Sequence, residues 1–332
     1  MNNSICTLFD NILIDIHKFK SLHYPEINIP RTEWAIRAFL YYDEVAAIVP
    51  YKYNMEPDSY EPFMREILVN ELVTPIDPMM NLRHQEQIQE LFQQYVTSHR
   101  RSLEQRKGFF HRTRNLKGSK LHEGKFSHSL YRFLEELGLA KYDKNGWYDV
   151  EPHTADDLMY YLASVLANTM DYRLSTDQMS YSFSTTYIHT PEYEIRHQNN
   201  RRNCILKELI PVPIDYDLRK IRHFKETHRE LLRTFRNHVE EIALDATILP
   251  ESELFSIKLD QLRQEKEEIS ARMNESHLGN IILGKICGVF SPMSGVSALL
   301  NAIYNACHVE RPDYNCQGMK YIVLAERNLI RK

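Results

Sequence analysis

The sequence predicts a helix-rich α/β N-terminal domain with a mixed sheet, followed by an all-α C-terminal domain built on a long antiparallel helical hairpin. Three observations lead to this prediction. Strand-like and helix-like segments alternate over residues 20–78. Two long amphipathic runs follow each other within residues 217–275. With 332 residues, the chain exceeds the length at which a single core usually stops growing. Two domains are therefore expected, over residues 1–200 and 201–332.

The N-terminal alternation begins with LHYPEINIP, which contains two prolines and should be extended. In RTEWAIRAFLYYD the apolar residues have helical spacing, and EVAAIVP is typical of a buried strand. The helical pattern EPFMREILVNEL and the extended segment VTPIDP come next. This order favours a sheet with helices packed on it.

Helices and short strands are also expected along the rest of the N-terminal domain. Residues 82–107 predict a long polar helix, and two more helices are expected around FSHSLYRFLEELGLA and ADDLMYYLASVLANTM. Asp156 and Asp157 would lie in the first turn of the last one, where the helix dipole favours acids. GWYDVEP and YRLSTD predict strands. The polar segment 186–203 lacks periodicity and is followed by a predicted strand, ILKELIPVPID; the domain boundary is expected within this segment or just after that strand.

The hairpin is predicted from apolar positions that recur every three or four residues. One such run extends from Ile221 to Ile242 and a second from Phe255 to Met273. Between them, Pro250 and Ser252 are residues that favour a helix start. Two antiparallel helices with a coiled-coil-like seam follow from this pattern.

A charge-free segment, residues 286–307, lies in the region 278–307 near the end of the chain. Its length reaches that of a membrane span, but Pro292 and several serines and asparagines interrupt it, and Lys285 precedes it. Small-residue apolar helices buried against the domain are therefore expected over 278–307. A membrane-acting effector that uses this segment is an alternative function.

The net charge and the cysteines restrict the cellular compartments and the classes of function that are expected for this sequence. The net charge of −4 does not indicate a dedicated nucleic-acid binder. The five cysteines are dispersed and form no C-x-x-C pair, which favours reduced thiols over a zinc ribbon or a disulfide framework. The N-terminal segment carries acids and no basic leader, so it does not resemble a secretory signal. A cytoplasmic location is expected.

Several blocks of the sequence resemble an uncharacterised family of bacterial proteins of similar length, which is catalogued as a domain of unknown function. These blocks cover much of residues 20–240 and occur in the order HYPEINIPRTEWAIRAFLYYDEVAAIVP, LHEGKFSHSLYRFLEELGLA, GWYDVEP, DDLMYYLASVLANTMDYRLSTD and IRHFKETHRELLRTFR. The resemblance implies no particular chemistry, because no activity is established for the family. It does imply a genomic context, since such genes often lie near defence or mobile-element genes.

The function expected from this context is non-enzymatic. We expect a cytosolic interaction, sensing or assembly component of a bacterial multi-gene system, such as antiphage defence, that binds a protein partner or associates with itself. The hairpin motif HFKETHRELLRTFR offers a docking surface for a partner helix, alongside its structural interpretation as a packed seam with exposed ion pairs. The candidate partner-interface residues are Phe224, Arg229, Phe235 and Arg236.

A metal-dependent nuclease or phosphodiesterase is the main alternative. Asp43 and Asp177 stand at the ends of predicted strands, where α/β proteins gather Mg²⁺, so they are the candidate catalytic residues. Helix capping or strand termination is the structural interpretation of the same residues. Mg²⁺ would be the cofactor, and no other cofactor is evident. The histidines have no strong ligand spacing, so the residues that would hold a metal are unknown.

A basic tract over residues 100–125 is a candidate nucleic-acid-binding segment. Residues 99–125 hold nine lysines or arginines against two glutamates, a local excess that attracts phosphates. A solvated helix end with a flexible loop is the alternative interpretation. The candidate residues are Arg100, Arg101, Arg106, Lys107, Arg112, Arg114, Lys117 and Lys120.

Overall fold

The chain divides into two compact units, residues 1–188 and residues 189–332. The boundary predicted at residue 200 lies inside a helix, Pro191–Leu209, that belongs to the second unit. The computed structural model describes residues 18–80, 82–98, 119–176, 191–212, 216–287 and 317–330.

A four-stranded parallel sheet forms the centre of the first unit. Its strands are β1 (Lys20–His23), β2 (Glu44–Ile48), β3 (Val73–Ile76) and β7 (Arg173–Ser175), in the spatial order β3-β2-β1-β7. β1 is paired on both sides, so that Leu22 lies opposite Ala46 of β2 and Leu174 of β7. All three side chains are buried, as expected for a parallel sheet covered on both faces.

The helices between these strands follow the predicted alternation, which is confirmed. α1 (Glu33–Tyr41) connects β1 to β2, and its N-terminus is capped by the Thr32 hydroxyl. α2 (Tyr51–Met55) and α3 (Pro62–Val69) connect β2 to β3. Pro62 begins α3 because a proline at the first helical position removes a donor that would have no partner within the helix.

A separate antiparallel sheet consists of β4 (Ser119–His122), β5 (Ala140–Tyr142) and β6 (Trp147–Val150), in the order β4-β6-β5. The strands therefore form two sheets rather than the single mixed sheet predicted. The antiparallel sheet forms separately because a tight turn pairs β6 with β5, and β4 pairs with the other side of β6. That turn holds Asn145 and Gly146 at φ +65° and +82°, a conformation that tight hairpin turns require.

Three helices complete the described part of this unit. α4 (Leu82–Ser98) and α6 (Pro152–Met170) pack together, and Tyr95 of α4 donates a 2.6 Å hydrogen bond to Asp157 of α6. α5 (His128–Glu136) leads into a turn at Gly138, close to where the sequence ends this helix. The predicted continuation of α4 to residue 107 lies outside the described residues.

The start of α6 differs from the prediction by about one turn. Pro152 is the first helical residue, and the Glu151 carboxylate accepts the backbone N–H groups of His153 at 3.2 Å and Thr154 at 2.8 Å. The prediction that Asp156 and Asp157 lie in the first turn is wrong, because a glutamate before a proline already provides the cap.

The described residues of the second unit are helical. They form α7 (Pro191–Leu209), α8 (Leu218–Thr227), α9 (Arg229–Ala243), α10 (Glu253–Cys287) and α11 (Gln317–Ala325), which runs into a π-helical turn at Glu326–Ile330. The predicted strand ILKELIPVPID is wrong up to Leu209, where those residues are the last turn of α7. Three apolar residues are buried there at helical spacing, Ile205, Leu206 and Leu209. The same segment also fits a strand pattern, and the sequence does not distinguish the two.

The two helical runs of the predicted hairpin are present, but their main neighbours differ from the expected seam. The first run divides into α8 and α9 at His228, which leaves the helical conformation at φ −111° and ψ 31°. α9 and α10 both pack against α7 and α11. Gly318 of α11 permits close approach to α9, because a Cβ there would lie 3.1 Å from the Phe235 Cα.

Within the described residues, including the 35-residue α10, no helix combines the length and apolar composition needed to cross a membrane. Most of the predicted apolar segment 278–307 lies beyond α10 and outside the described residues.

Two buried arginines hold the second unit together. Arg201 is fully buried and donates to the carbonyl oxygens of Ala243 at 2.8 Å and Ile248 at 2.7 Å, so it fixes the loop after α9. Arg202 makes a two-pronged ion pair with Glu240 of α9, with N–O distances of 2.5 and 2.6 Å. Loss of one partner of such a pair is strongly destabilising, because it leaves the other charge buried without compensation.

We predict that Glu240→Gln destabilises the second unit by about 3–5 kcal/mol, because it leaves the Arg202 guanidinium buried without its counter-charge. The measurement is urea unfolding of the full chain followed by far-UV circular dichroism. Both tryptophans lie in the first unit, so their fluorescence reports separately on that unit.

The matched control is Glu230→Gln, because Glu230 pairs with Arg233 at 3.9 Å with both side chains largely exposed. This control should change the free energy of unfolding by less than about 1 kcal/mol. Equal effects of the two substitutions would contradict the importance assigned to the buried pair.

Candidate functional site

The order of the parallel sheet places a switch point between β1 and β7. From β1 the chain passes through α1 to β2 on one side, whereas β7 joins the other side of β1 much later in the sequence. In open α/β sheets, ligands bind in the crevice outside the carboxyl ends of the strands at such a point. Ser21 and Ser175 share a hydrogen bond here, and the backbone N–H of Tyr24 donates to the Ser175 carbonyl at 3.3 Å.

A cleft of about 570 Å³ opens beyond the carboxyl end of β1. This volume falls in the usual range for small-molecule sites. Its walls come from the loop after β1, strand β4 and the turn that follows it, strand β6 and helix α6, with Glu61 added from the residue before α3. The residues that face it from these elements include Pro25, Asn28, Lys125, Trp147, Ala155 and Met159.

Lys125 is the most unusual residue of the cleft, because its side chain is 98% buried. Its Nζ donates to the Pro25 carbonyl at 2.5 Å and lies 3.7 Å from the Met159 sulfur. Burial lowers the pKa of Lys125 to about 7, and the nearby Glu26 opposes this shift. A lysine amine that is partly unprotonated near neutral pH can act as a base or a nucleophile.

The turn that carries Lys125 is fixed by its neighbours. The backbone N–H of Gly124 donates to His122 Nδ1 at 3.0 Å, so this ring nitrogen is unprotonated. Burial is the main cause that lowers the pKa of His122, which favours the same neutral form. Gly124 itself lies so close to Pro50 that a Cβ would approach the proline Cβ to 2.9 Å. The turn is thereby held against the carboxyl end of β2, and Lys125 is aimed at the loop after β1.

His23, the last residue of β1, is a second buried polar group at this edge. It is fully buried, and neither ring nitrogen has a hydrogen-bond partner among the residues that the structure describes. Its ring lies 5.0 Å from the Trp34 ring. Burial, helped by the charge of Lys125, lowers the pKa of His23 to about 3, so the imidazole is neutral at physiological pH.

The charged residues at the cleft give it an acidic character. Glu26, Glu61 and Asp156 face it, together with Lys120 and Lys125. Lys120 is engaged elsewhere, because its ammonium pairs with Asp143 and with Asp149, the latter at 2.7 Å. The hydrogen bond between Lys120 and Asp143 raises the pKa of the lysine and lowers that of the aspartate. Three carboxylates and two lysines therefore line the cleft, and one of the two lysines is paired with aspartates that are not part of the lining.

The structure places the candidate catalytic residue Asp43 away from this cleft. Asp43 precedes β2, and its carboxylate accepts the Phe19 backbone N–H at 2.8 Å. This contact lies at the amino edge of the parallel sheet. The other member of the predicted pair, Asp177, lies outside the described residues.

The candidate nucleic-acid-binding residues fall almost entirely outside the described part of the chain. Lys120 is the exception, and it lies on β4 with its ammonium paired as above. The residues outside are Arg100, Arg101, Arg106, Lys107, Arg112, Arg114 and Lys117.

Most of the candidate partner-interface residues are buried within the second unit. Phe224, Phe235 and Arg236 expose less than a tenth of their surface. The rings of Phe224 and Phe235 lie 5.2 and 6.0 Å from the Tyr321 ring of α11. Arg229 is exposed. The two aromatic residues therefore have a packing role that their spacing had already indicated.

Metal ligation has no visible site in the described ranges. No group of three histidine, cysteine, aspartate or glutamate side chains there could hold an ion.

Sequence reasoning missed both Lys125 and His23. Lys125 belongs to the basic tract, where nothing local distinguishes it from its solvated neighbours. The block LHEGKFSHSLYRFLEELGLA included it only as part of a resemblance. His23 stands beside Pro25 in a segment read as extended, and its burial depends on β2 and β7, which are distant in sequence.

Comparison of the chain with family models, with curated proteins and with solved structures gave no significant match. The resemblance to the uncharacterised bacterial family stays a prediction.

We predict that His23→Leu reduces the loss of folding stability that accompanies acidification from pH 7 to pH 4. The unfolded histidine binds a proton below about pH 6.5, whereas the folded one does so only below about 3. Acidification from pH 7 to pH 4 therefore costs the wild-type protein stability that the leucine variant keeps. At pH 7 the variant should be at least as stable, because it buries no unpartnered nitrogen.

The measurement is urea unfolding monitored by tryptophan fluorescence between pH 4 and pH 8. His153→Leu is the matched control, since His153 is exposed on α6. Parallel pH profiles for the His23→Leu variant and the wild-type protein would contradict the buried, neutral state of His23.

Proposed function

We propose that this protein is a cytosolic ligand-sensing component of a bacterial multi-gene system, such as an antiphage system. In this proposal the first unit binds a small polar molecule in the cleft at the carboxyl end of β1. The second unit transmits the bound state to a protein partner or to a second copy of the chain. The role is recognition rather than turnover.

The observation that carries the proposal is the buried Lys125 at a cleft beside the switch point. Burying a lysine with a depressed pKa costs folding free energy. A core of this kind would be more stable with an apolar side chain in that place. Polar groups that oppose stability and line a concave site are typical of binding sites. The unpartnered His23 at the same edge supports the same interpretation.

The composition of the cleft favours a polar, uncharged or cationic ligand. Glu26, Glu61, Asp156 and Asn28 provide acceptors, and Trp147 provides an apolar face. Hydroxyl or amino groups of a ligand can donate to the carboxylates, while its carbon skeleton packs against the indole.

An exposed apolar corner of the second unit supports the partner role. Leu244, Leu249, Leu254 and Ile257 expose between 44% and 53% of their surface, although they lie close together along the chain after α9. Clusters of exposed apolar residues are typical of protein interfaces. The partner interface is therefore proposed at this corner rather than at Phe224 and Phe235.

We predict that a cleft ligand raises the melting temperature of the first unit by roughly 5–10 °C at one hundred times its dissociation constant. The experiment is a thermal-shift screen of the full chain against amino acids, neutral sugars, polyols and nucleosides. Ala155→Leu should abolish the shift, because Ala155 faces the cleft and leucine fills part of it.

Asn168→Leu is the matched control, since Asn168 is exposed on the same helix. A shift that survives in the Ala155→Leu variant would place the ligand elsewhere. A screen in which no compound class produces a shift would remove the basis of the sensing proposal.

We also predict that the chain associates with itself through the exposed corner. Light scattering after size-exclusion chromatography should give a mass above 39.4 kDa for the wild-type protein. The double substitution Leu249→Asp and Ile257→Asp should return it to the monomer mass. Val69→Asp is the control, because Val69 is 80% exposed in the first unit. A wild-type monomer would exclude self-association and leave a different protein as the partner.

A further inference from the structure

We propose that Lys125 holds its ligand covalently, as an imine formed with the carbonyl carbon of a neutral hydroxy-aldehyde or hydroxy-ketone. This inference rests on the proposed ligand-binding function of the cleft and names the chemical class of the ligand.

The position of the amine supports nucleophilic attack. Lys125 lines the cleft, and its Nζ contacts the Pro25 carbonyl and the Met159 sulfur, which belong to two further residues of the lining. With a pKa of about 7, roughly half of these amines are unprotonated at neutral pH. An ordinary lysine has fewer than about one unprotonated amine in a thousand at that pH. Imine-forming lysines are activated by desolvation in this way.

The surroundings of the amine select the carbonyl compound. Glu26, Glu61 and Asp156 would repel the carboxylate of a keto acid or a phosphate group. Lys120, the other cation of the cleft, is already paired with Asp143 and Asp149. The same carboxylates can accept hydrogen bonds from several hydroxyl groups, and Trp147 can cover the carbon skeleton of a short polyhydroxy chain. A neutral hydroxy-carbonyl compound satisfies all of these groups.

The reaction balances without an oxidant or reductant. The unprotonated Nζ forms a bond to the carbonyl carbon, and the carbonyl oxygen takes up a proton to give a carbinolamine. Loss of that oxygen as water, with the second nitrogen proton returned to solvent or to a cleft carboxylate, gives the imine. The net change is condensation of one amine and one carbonyl group with release of one water. Hydrolysis reverses it, as a reversible sensor requires.

The test is reductive trapping on the intact full-length protein. Dihydroxyacetone and glyceraldehyde are incubated with the protein at pH 7, cyanoborohydride is added, and the adducts are located by peptide mass spectrometry. Lys125 should be labelled at least tenfold faster than Lys141, an exposed lysine of β5 in the same unit. The rate at Lys125 should level off above about pH 7, because most of its amines are unprotonated above that pH.

Further compounds and variants distinguish an imine at Lys125 from non-covalent binding in the cleft. Pyruvate should label Lys125 much more slowly than dihydroxyacetone. Lys125→Arg should lose the fast adduct and Lys141→Arg should keep it, with the fold of each variant checked by circular dichroism. The wild-type rates alone decide the matter if Lys125→Arg does not fold.

If Lys125 is labelled no faster than Lys141, the proposed imine is wrong. If glycerol or another polyol still gives a thermal shift that Ala155→Leu abolishes, the ligand-binding function stands without the covalent step. Preferential labelling by pyruvate would overturn the assignment to a neutral ligand.

Discussion

β1 is hydrogen-bonded on both sides, to β2 along one edge and to β7 along the other, and the first unit is arranged around this strand. Because β7 comes much later in the sequence than β2, the chain connections to the two neighbours of β1 run in opposite directions. Such a switch point leaves a gap beyond the carboxyl ends of the strands, and the cleft lies beyond the carboxyl end of β1. The loop at Pro25, the turn at Lys125 and helix α6 border that gap.

The edge next to this gap contains polar side chains where packing alone would prefer apolar ones. Ser21 and Ser175 form a hydrogen bond with each other, whereas the burial of His23 and of Lys125 costs desolvation free energy. The second unit deals with buried charge differently, since Arg202 and Glu240 neutralise each other. The two units therefore differ: the buried ion pair of the second unit is neutralised within the fold, whereas the buried His23 and Lys125 of the first unit oppose its stability.

The sequence predicts local structure well wherever a short periodic pattern determines it. The alternation over residues 20–78 and the strands at Trp147 and Leu174 are of this kind. The end of α7 was misread because ILKEL has both strand and helical character, and buried contacts decide between them. Asp43 illustrates a different limit. Strand ends are visible in a sequence, but the direction of each strand, and hence the edge at which an end lies, depends on pairing with distant segments.

The candidate site was harder to predict than the fold for the same reason. The cleft joins the loop after β1, the turn after β4, strand β6 and helix α6, which are separated by up to about 130 residues. Burial of Lys125 is a property of this assembly and has no signature in its own tract. The sequence likewise predicted a direct seam between the two helical runs and did not indicate that both would pack against α7 and α11, because those two helices carry no matching pattern of their own.

The position of α11 has a consequence for synthesis on the ribosome. α9 and α10 both pack against α11, which follows them by tens of residues. At about 5–20 residues per second, their apolar faces wait several seconds for the helix that covers them. During that interval the nascent chain exposes Phe235 and its neighbours to solvent, which makes this stretch a natural client for chaperones. The first unit has by then received its last strand and can fold while the second is still incomplete.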